Sequence, residues 1–336
     1  MPGPLAIRRG PSLLDDAVER QPLEGHDGRS GARLERVQLA DGSSLIVKRM
    51  PPGSDLLMRI TSDATGRELA LWRAGVLDRL PDGVDHAILE GWHERDGTVV
   101  IVMRDLGRAV LGWHRHLSRS ECRTLLGAVT AVHATYAEVA ASVPDLCPLA
   151  ARLRLLWPGP MAREIGGEHP LPRLVVRGWE LFADLVPGDV ADVIGWVHDD
   201  VTRLTGPLST CTLSLVHGDF WLVNVALEGG CVVLLDWGAA SLAPPAFDLA
   251  CFLVGNATHV DAAREVIIDD FVTLSGDLHD DRALKLCLVA ALAELGWNKA
   301  LDIVDHPDPV ARGIARDELD WWTAAVRRVA DEGALS

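Results

Sequence analysis

Residues 215–238 of this sequence are LVHGDFWLVNVALEGGCVVLLDWG. Two short apolar runs, 225–227 and 231–235, flank a Glu-Gly-Gly segment at 228–230. Apolar runs of this length around paired glycines predict a β-hairpin, because glycine readily adopts the positive φ that a tight turn requires. The sequence therefore predicts two short antiparallel strands in this region.

Polar side chains stand before and after this hairpin. His217, Asp219 and Asn224 precede its first strand, and Asp236 follows its second strand. The two strands are expected to bring Asn224 and Asp236 together, while one loop carries both Asp219 and Asn224. Carboxylate and amide oxygens suit Mg²⁺, which proteins usually hold through one or two side chains together with substrate phosphates. Any one of these residues could be an ordinary polar end of a hairpin, but the ordered set predicts a magnesium site.

The order and spacing of these four residues resemble a known catalytic set. Protein kinases carry His-Arg-Asp-x-x-x-x-Asn and then Asp-Phe-Gly, in which the first Asp is the base and the other two residues hold metal. The His-Gly-Asp and Asp-Trp-Gly forms present here resemble those of the aminoglycoside phosphotransferase and choline kinase-like family, which has a kinase fold and acts mostly on small molecules. The resemblance implies that Asp219 is the catalytic base and that His217 braces the loop. It also implies that Asn224 and Asp236 hold Mg²⁺.

A lysine lies near the end of an apolar strand in the N-terminal part. Strands are predicted for 33–39 and 44–49, joined by an Asp-Gly turn. The second strand contains Leu-Ile-Val followed by Lys48, which resembles the kinase strand whose lysine contacts the α- and β-phosphates. A lysine in such a strand needs a partner to offset its desolvation. We expect an ion pair with Glu68 on a helix predicted for 61–80, and a solvated glutamate is the alternative.

The segment before these strands is rich in glycine. Residues 23–31 are LEGHDGRSG, and a glycine-containing loop between strands can surround nucleotide phosphates with backbone N–H groups. Such loops are common, so the argument depends on the lysine strand that follows. We expect Gly28, Ser30 and Gly31 to contribute to nucleotide binding.

Two further strands are predicted for 87–92 and 98–103, after which Arg-Asp-Leu-Gly at 104–107 leaves the sheet. In the family that the sequence resembles, this position connects two lobes, and backbone groups there bind the purine. The resemblance implies that Arg104, Leu106 and the residue between them bind the base of ATP, with GTP as the alternative nucleotide.

From residue 111 onward the apolar spacing becomes that of helices. Helices are predicted for 120–140, 174–185, 189–204, 290–303 and 309–330. The proline-rich and irregular residues 142–172 are predicted to form an insertion or a loop on the substrate side. His133, on the first of these helices, is expected to be an ordinary core or interface histidine. At the other end of the chain, residues 1–20 are expected to be weakly structured or to form a short helix around 12–19.

Residues 239–250 resemble the family's Gly-Asp-Pro-x-x-Asp-Leu-Ala segment, although Ala-Pro-Pro at 243–245 replaces Gly-Asp-Pro. A second departure is Leu222, where relatives often carry proline. The resemblance implies that Asp248 braces the catalytic loop from a helix N-terminus. Neither departure removes a catalytic group.

Composition limits the classes of partner. The 336 residues include 32 Lys and Arg against 48 Asp and Glu, a net charge of −16, which argues against nucleic acid and is compatible with a cationic substrate. The six cysteines are scattered and are expected to be free thiols in a reducing cytoplasm. Because no signal-peptide core or membrane-length apolar run is present, we expect a cytoplasmic protein without a membrane partner, either a monomer or a homodimer.

These observations predict an α+β, two-lobed protein kinase-like fold. Residues 1–106 are expected to form a nucleotide-binding lobe with an antiparallel sheet and one helix. Residues 107–336 are expected to form a mostly helical lobe that includes the catalytic hairpin, with ATP between the lobes.

Three functions fit this prediction. The first is ATP- and Mg²⁺-dependent transfer of the γ-phosphate to a hydroxyl of a small molecule, such as an aminoglycoside or other antibiotic, an amino alcohol or a sugar. The second is a kinase for Ser or Thr of a peptide or protein, such as a biosynthetic precursor peptide, and the third is a non-catalytic nucleotide-binding scaffold. The first is favoured because residues 239–247 leave no room for a regulated activation segment, no Ala-Pro-Glu motif follows, and no member of the catalytic set is missing.

Overall fold

The computed structural model describes residues 12–23, 31–113, 115–167 and 169–335. Contacts divide the chain into two compact units, here called the sheet unit and the helical unit. The sheet unit consists of the described residues of Met1–Arg115, Val143–Leu146 and Trp221–Ala239. The helical unit consists of the described residues of His116–Ser142, Cys147–Phe220 and Ala240–Ser336.

The strands and helices of the described residues are numbered in chain order. The strands are β1 (Ala17–Pro22), β2 (Arg33–Leu39), β3 (Ser44–Met50), β4 (Val84–His86), β5 (Ile88–His93), β6 (Val99–Arg104), β7 (Ser214–Val216), β8 (Val225–Glu228), β9 (Cys231–Leu234) and β10 (Ser241–Ala243). The helices are α1 (Leu56–Ile60), α2 (Arg67–Arg73), α3 (Arg119–Tyr136), α4 (Leu149–Leu153), α5 (Pro158–Glu164), α6 (Leu171–Leu185), α7 (Gly188–Asp199), α8 (Thr202–Leu208), α9 (Ala246–Asn256), α10 (Arg264–Ser275), α11 (Asp281–Asp305) and α12 (Pro309–Asp331).

The sheet unit is built on a five-stranded antiparallel sheet with the strand order β1-β2-β3-β6-β5. The four strands predicted for this sheet are confirmed to within one residue at each end. Because successive side chains of a strand point to opposite faces, apolar residues gather on one face. The buried cluster there consists of Val37, Leu45, Val47, Val100 and Val102.

The edge strand β1 corrects the expectation for residues 12–19. Ser12 to Asp16 form a turn rather than a helix, and the chain then pairs with β2 from Ala17 onward. The local sequence carries no strong strand pattern. Its structure is decided instead by pairing with the neighbouring strand β2.

The helix predicted for 61–80 is also wrong in length, because α2 spans only Arg67–Arg73. Gly66 precedes it with φ +70°, and a Cβ there would lie 2.8 Å from Cγ1 of Val99. A side chain at this position would therefore be strained as well as crowded. The Asp63 carboxylate accepts hydrogen bonds from the backbone nitrogens of Gly66 and Arg67 at 2.8 and 2.9 Å, so it caps the start of α2.

The predicted hairpin is present as β8 and β9. Gly229 and Gly230 form its turn with φ values of +59° and +86°. Strand β9 also pairs in parallel with β4, and Leu111 donates its backbone N–H to the carbonyl of Val225 at 2.9 Å. Through these contacts the hairpin belongs to the sheet unit, so this unit extends beyond the lobe of residues 1–106 that the sequence suggested.

The helical unit is organised around α11, which packs against α12, α6 and α9. The helices expected in this part of the chain are present, with two differences. Helix α11 begins at Asp281, well before the predicted start. The helix predicted for 189–204 is divided at Asp200, which has φ −150° and accepts a hydrogen bond from the backbone N–H of Thr202 at 2.9 Å. An aspartate that bonds the local backbone in this way favours a helix break.

Residues 142–172 are more regular than predicted. They contain α4 and α5, and α5 begins with Pro158 at its first turn. Proline is well tolerated there because a first-turn N–H has no intrahelical partner. The prolines that suggested an irregular loop therefore mark a helix start instead.

Two further features concern the cysteines and the apolar character of the helices. All six cysteines are free thiols, as predicted. Burial raises the pKa of the Cys122 thiol to about 12. Among the described residues, no helix combines the length and the apolar character needed to cross a membrane.

Close packing of α6 on α11 depends on a glycine. A Cβ on Gly178 would lie 2.5 Å from the carbonyl oxygen of Trp297, whereas a Cβ on Gly195 in α7 would meet nothing within 4 Å. We expect Gly178→Ala to lower the free energy of unfolding by about 1–3 kcal/mol, the usual cost of overpacking. Gly195→Ala, the matched control, should raise it by about 0.5–1 kcal/mol because alanine favours helix. Urea unfolding of both variants measures the difference, and equal stabilities would contradict the proposed close approach.

Candidate active site

Three charged side chains meet in the sheet unit. Lys48 is buried on β3, and its Nζ lies 2.9 Å from Oε2 of Glu68 on α2 and 2.9 Å from Oδ1 of Asp236. Glu68 also accepts a hydrogen bond from the backbone N–H of Trp237. The ion pair predicted between Lys48 and Glu68 is thus confirmed, and Glu68 links the lysine to the segment after β9.

The charges of this cluster are strongly coupled. Burial would lower the pKa of Lys48, yet the carboxylates of Asp236 and Glu68 together hold it above the usual lysine value. Burial raises the pKa of Glu68, while Lys48 opposes this shift. Lys48 therefore stays an ammonium at neutral pH and is suited to binding anions.

Asn224 and Asp236 lie at the open end of the hairpin. Val225 pairs with Leu234, and the backbone N–H of Leu235 donates to the carbonyl of Asn224 at 2.9 Å. Asp236 follows with φ +60°, a left-handed conformation that aspartate tolerates better than most residues, and 43% of its side chain is exposed. The hairpin thus brings the backbones of the two predicted metal ligands together.

This donor set fits magnesium. One carboxylate and one amide are enough when phosphates and water supply the remaining ligands. A cluster of three or more His, Cys, Asp or Glu side chains that could hold a metal alone is not found in the described part of the chain.

The predicted base-binding segment begins at the last residue of β6. Its first residue, Arg104, has its N–H engaged with the carbonyl of Ala87 at 2.9 Å, and its guanidinium contacts Asp85 and Glu228. Leu106 is buried in an apolar cluster of the sheet unit. The backbone N–H of Arg104 is therefore committed to the sheet, and a base would need other backbone groups of 104–106.

Of the three residues proposed in the glycine-rich loop, Gly28 and Ser30 lie outside the described residues. Gly31 is described, with φ +97° and a position at which a Cβ would lie 2.9 Å from the carbonyl oxygen of Ser54. Its contribution to nucleotide binding stays a prediction.

The loop that carries Asp219 belongs to the helical unit. It follows β7, which pairs with β10, and Gly218 takes φ +78°. The buried carboxylate of Asp248, at the start of α9, accepts hydrogen bonds from the backbone nitrogens of His217 and Gly218, both at 2.8 Å. The bracing contact expected for Asp248 is therefore present.

A histidine completes this brace. Nε2 of His133, on α3, lies 2.9 Å from Oδ2 of Asp248, and both side chains are buried. Burial would raise the pKa of Asp248, but the hydrogen bond and charge of His133 and the backbone amides hold it below the usual aspartate value. His133 was expected to be an ordinary core or interface residue, because no local pattern links two residues so far apart in sequence.

A contact between two tryptophans was also not predicted from the sequence. The rings of Trp113 and Trp221 meet edge to face in the sheet unit, with centroids 5.2 Å apart. Trp221 stands two residues after Asp219 in the chain. This position, close to the predicted catalytic base, was the one feature of the sequence that could have indicated a role for Trp221.

Comparison with known proteins identifies the family. The sequence model of the phosphotransferase enzyme family matches residues 26–284, well over half of the chain. The chain belongs to this family. It is a phosphotransferase of two-lobed, protein kinase-like α+β fold, as the sequence motifs predicted. No curated protein sequence matches the chain.

Solved structures of low sequence identity share the fold. A spectinomycin phosphotransferase, APH(9)-Ia, in complex with ADP and spectinomycin has a TM-score of 0.53 and 15% identity, with 94% of each chain covered. The GDP complex of an aminoglycoside 2'-phosphotransferase-IIIa has a TM-score of 0.54 and 12% identity, with 92% of this chain and 93% of that chain covered. A GDP and kanamycin complex of APH(2")-IIia has a TM-score of 0.51 and 12% identity, with 95% and 94% covered.

The Asp248 brace has a pH dependence of known sign. Because the folded pKa of Asp248 is depressed, its contribution to stability is fully present above the unfolded pKa, near 3.9, and is lost as pH falls through the folded pKa. We expect Asp248→Asn to lower the free energy of unfolding by about 3 kcal/mol at pH 7, since buried amide donors lose a charged acceptor.

The deficit of this variant relative to the parent should shrink as pH falls below about 4. Asp269→Asn, which changes an exposed aspartate of the same unit, should stay within about 0.5 kcal/mol of the parent. Urea unfolding at several pH values gives both curves. A deficit that grows toward low pH would contradict the assigned sign.

Proposed function

We propose that this phosphotransferase moves the γ-phosphate of ATP, or of GTP as the alternative, to a hydroxyl group of a small molecule. The observation that carries the proposal is the buried ammonium of Lys48 between the carboxylates of Glu68 and Asp236. A cation held this firmly on a sheet is suited to nucleotide phosphates, as in other kinases.

On the nucleotide side, each group has a distinct task. Lys48 binds the α- and β-phosphates, and Glu68 keeps the ammonium in place. Asn224 and Asp236 hold Mg²⁺, which when bound neutralises charge on the phosphate oxygens. Backbone groups of 105–106 receive the purine beside the apolar cluster that includes Leu106.

On the acceptor side, Asp219 acts as the base. Its carboxylate orients the acceptor hydroxyl and takes its proton, while the hydroxyl oxygen forms a bond to the γ-phosphorus. The bond between the γ-phosphorus and the bridging oxygen breaks, and the nucleoside diphosphate leaves. The contacts of Asp248 with His217 and Gly218 hold the loop, so positioning is established before the acceptor binds.

A small acceptor is favoured by the segment after the metal ligand. Residues 237–239 form a tight turn, 241–243 pair with β7, and α9 begins at Ala246. The stretch between Asp236 and α9 is thus short and leaves no room for a regulated activation segment, which disfavours a kinase for peptides or proteins. Structures with the same fold bind spectinomycin or kanamycin, which supports a hydroxylated acceptor.

A screen of acceptors tests the proposal. Mg²⁺-ATP is supplied with aminoglycosides, other hydroxylated antibiotics, amino alcohols, sugars and Ser/Thr peptides, and ADP release and transfer of the γ-phosphate are followed. We expect one small-molecule class to be phosphorylated. Labelling of peptides alone would favour the peptide kinase, and nucleotide binding without any transfer would favour the scaffold.

The two aspartates should fail in different ways. Asp219→Asn keeps its shape but loses the base, so the single-turnover rate should fall by roughly 10²–10⁴ with nearly intact nucleotide affinity. Asp236→Asn removes a charged ligand, so Mg²⁺-ATP affinity should weaken along with the rate. Calorimetric titration of Mg²⁺-ATP and single-turnover kinetics distinguish the variants.

The exposed Asp82 of the sheet unit provides the control, and Asp82→Asn should change neither quantity. If Asp219→Asn loses nucleotide binding while Asp236→Asn retains it, the two roles are reversed.

A further inference from the structure

A fully buried arginine reaches the loop that carries Asp219. Arg152, on α4, is 2% exposed, and its Nε donates a hydrogen bond to the carbonyl oxygen of Gly218 at 2.6 Å. Its Nη1 pairs with the buried carboxylate of Glu294 on α11. Its Nη2 lies 3.8 Å from the Sγ of Cys251. Each nitrogen of the guanidinium thus has a defined neighbour within the helical unit.

The contacted carbonyl belongs to the peptide bond that leads into Asp219. The oxygen of this peptide unit accepts from Arg152, and its nitrogen, the N–H of Asp219, lies 3.3 Å from Nδ1 of His217. The preceding amides of His217 and Gly218 are held by Asp248. An anion and a cation therefore hold successive peptide units of the same loop.

We propose that Arg152, fixed by Glu294, is a positioning residue that sets the orientation of the Gly218–Asp219 peptide and so directs the Asp219 carboxylate at the acceptor hydroxyl. This inference rests on the proposed function of Asp219 as base. It assigns to α4 and α11 a role in the reaction that the linear motif does not contain.

Stability alone gives little reason for this ion pair. Removing two charges from water is costly, and replacing a buried pair with apolar side chains of similar volume is often neutral or stabilising. The guanidinium instead fixes an orientation, because its rigid planar, forked group donates hydrogen bonds to a carbonyl and to a carboxylate at the same time. A lysine offers one flexible ammonium and would not fix both directions.

The pair is also electrostatically coupled to the base. Burial would lower the pKa of Arg152, but the negative charges of Glu294 and Asp219 hold it above the usual arginine value. Such an interaction is mutual, so the guanidinium stabilises the ionised form of Asp219 by the same attraction. Removing Arg152 should therefore make Asp219 easier to protonate as well as less well aimed.

The test replaces the pair as a unit. Arg152→Met/Glu294→Leu removes both charges together and leaves no unpaired buried charge, so the variant should fold, with the carbonyl of Gly218 losing its donor. Its kcat should fall by about 10²-fold, as expected for a misplaced catalytic group, while KM for Mg²⁺-ATP stays within about twofold. The acid limb of the kcat/KM profile should move to higher pH.

Two companion variants separate positioning from folding. Lys299→Met/Glu318→Leu replaces another buried ion pair, one that joins α11 to α12 and in which Glu318 also contacts Arg264, and should leave kcat and the pH profile unchanged. Arg152→Lys keeps a charge opposite Glu294 but loses the fork, so kcat should fall by about tenfold. If the double variant does not fold, the lysine variant decides. A parental kcat in either folded Arg152 variant overturns the proposal.

A readout without any acceptor keeps this inference distinct from the proposed function. The carboxyl carbon of Asp219, assigned in ¹³C spectra by its loss in Asp219→Asn, is titrated in the parent and in the double variant. An upward move of its midpoint supports the proposal, and an unchanged midpoint overturns it. If the parent transfers phosphate to no acceptor, the proposed function fails while this titration still decides whether Arg152 acts on Asp219.

Discussion

The buried ammonium of Lys48 is the constraint on which the sheet unit depends. The residues directly before Lys48 in its strand are apolar. Its charge is tolerated there only because carboxylate oxygens of Glu68 and Asp236 both lie 2.9 Å from its Nζ. This requirement ties together three parts of the chain: β3, the short helix α2, and the segment that follows the hairpin. A phosphate group that approaches Lys48 would therefore meet an ammonium whose position is already fixed by two carboxylates.

The helical unit also contains buried charges, one anionic and one cationic, that contact the same loop. In this unit, buried charged side chains hold the backbone of the loop that carries Asp219. The Asp248 carboxylate accepts hydrogen bonds from the amides of His217 and Gly218. The Arg152 guanidinium donates a hydrogen bond to the carbonyl of Gly218. Phosphoryl transfer asks a protein mainly for positioning and charge neutralisation. Under the proposed function, the buried charges around Lys48 and around the loop of Asp219 serve these two tasks.

The sequence predicted those features that local spacing determines. The hairpin, the pairing of Lys48 with Glu68 and the bracing by Asp248 all follow from motifs whose parts lie in fixed order. The late start of α2 did not follow, because Gly66 delays the helix through its positive φ and its close approach to Val99 on a distant strand. His133 and Arg152 were missed because each reaches the loop from a helix remote in sequence, and no short motif records such contacts.

The most direct test of the account is calorimetric binding of Mg²⁺-ATP to Lys48→Met, with Arg49→Met as the control from the same strand. Arg49 pairs with Glu94 and Glu35 instead of the active-site carboxylates. We expect Lys48→Met to weaken Mg²⁺-ATP binding about 10- to 100-fold, the range for one charged hydrogen bond, while adenosine binding and the affinity of Arg49→Met stay unchanged. A folded Lys48→Met protein that binds Mg²⁺-ATP as tightly as the parent would contradict it.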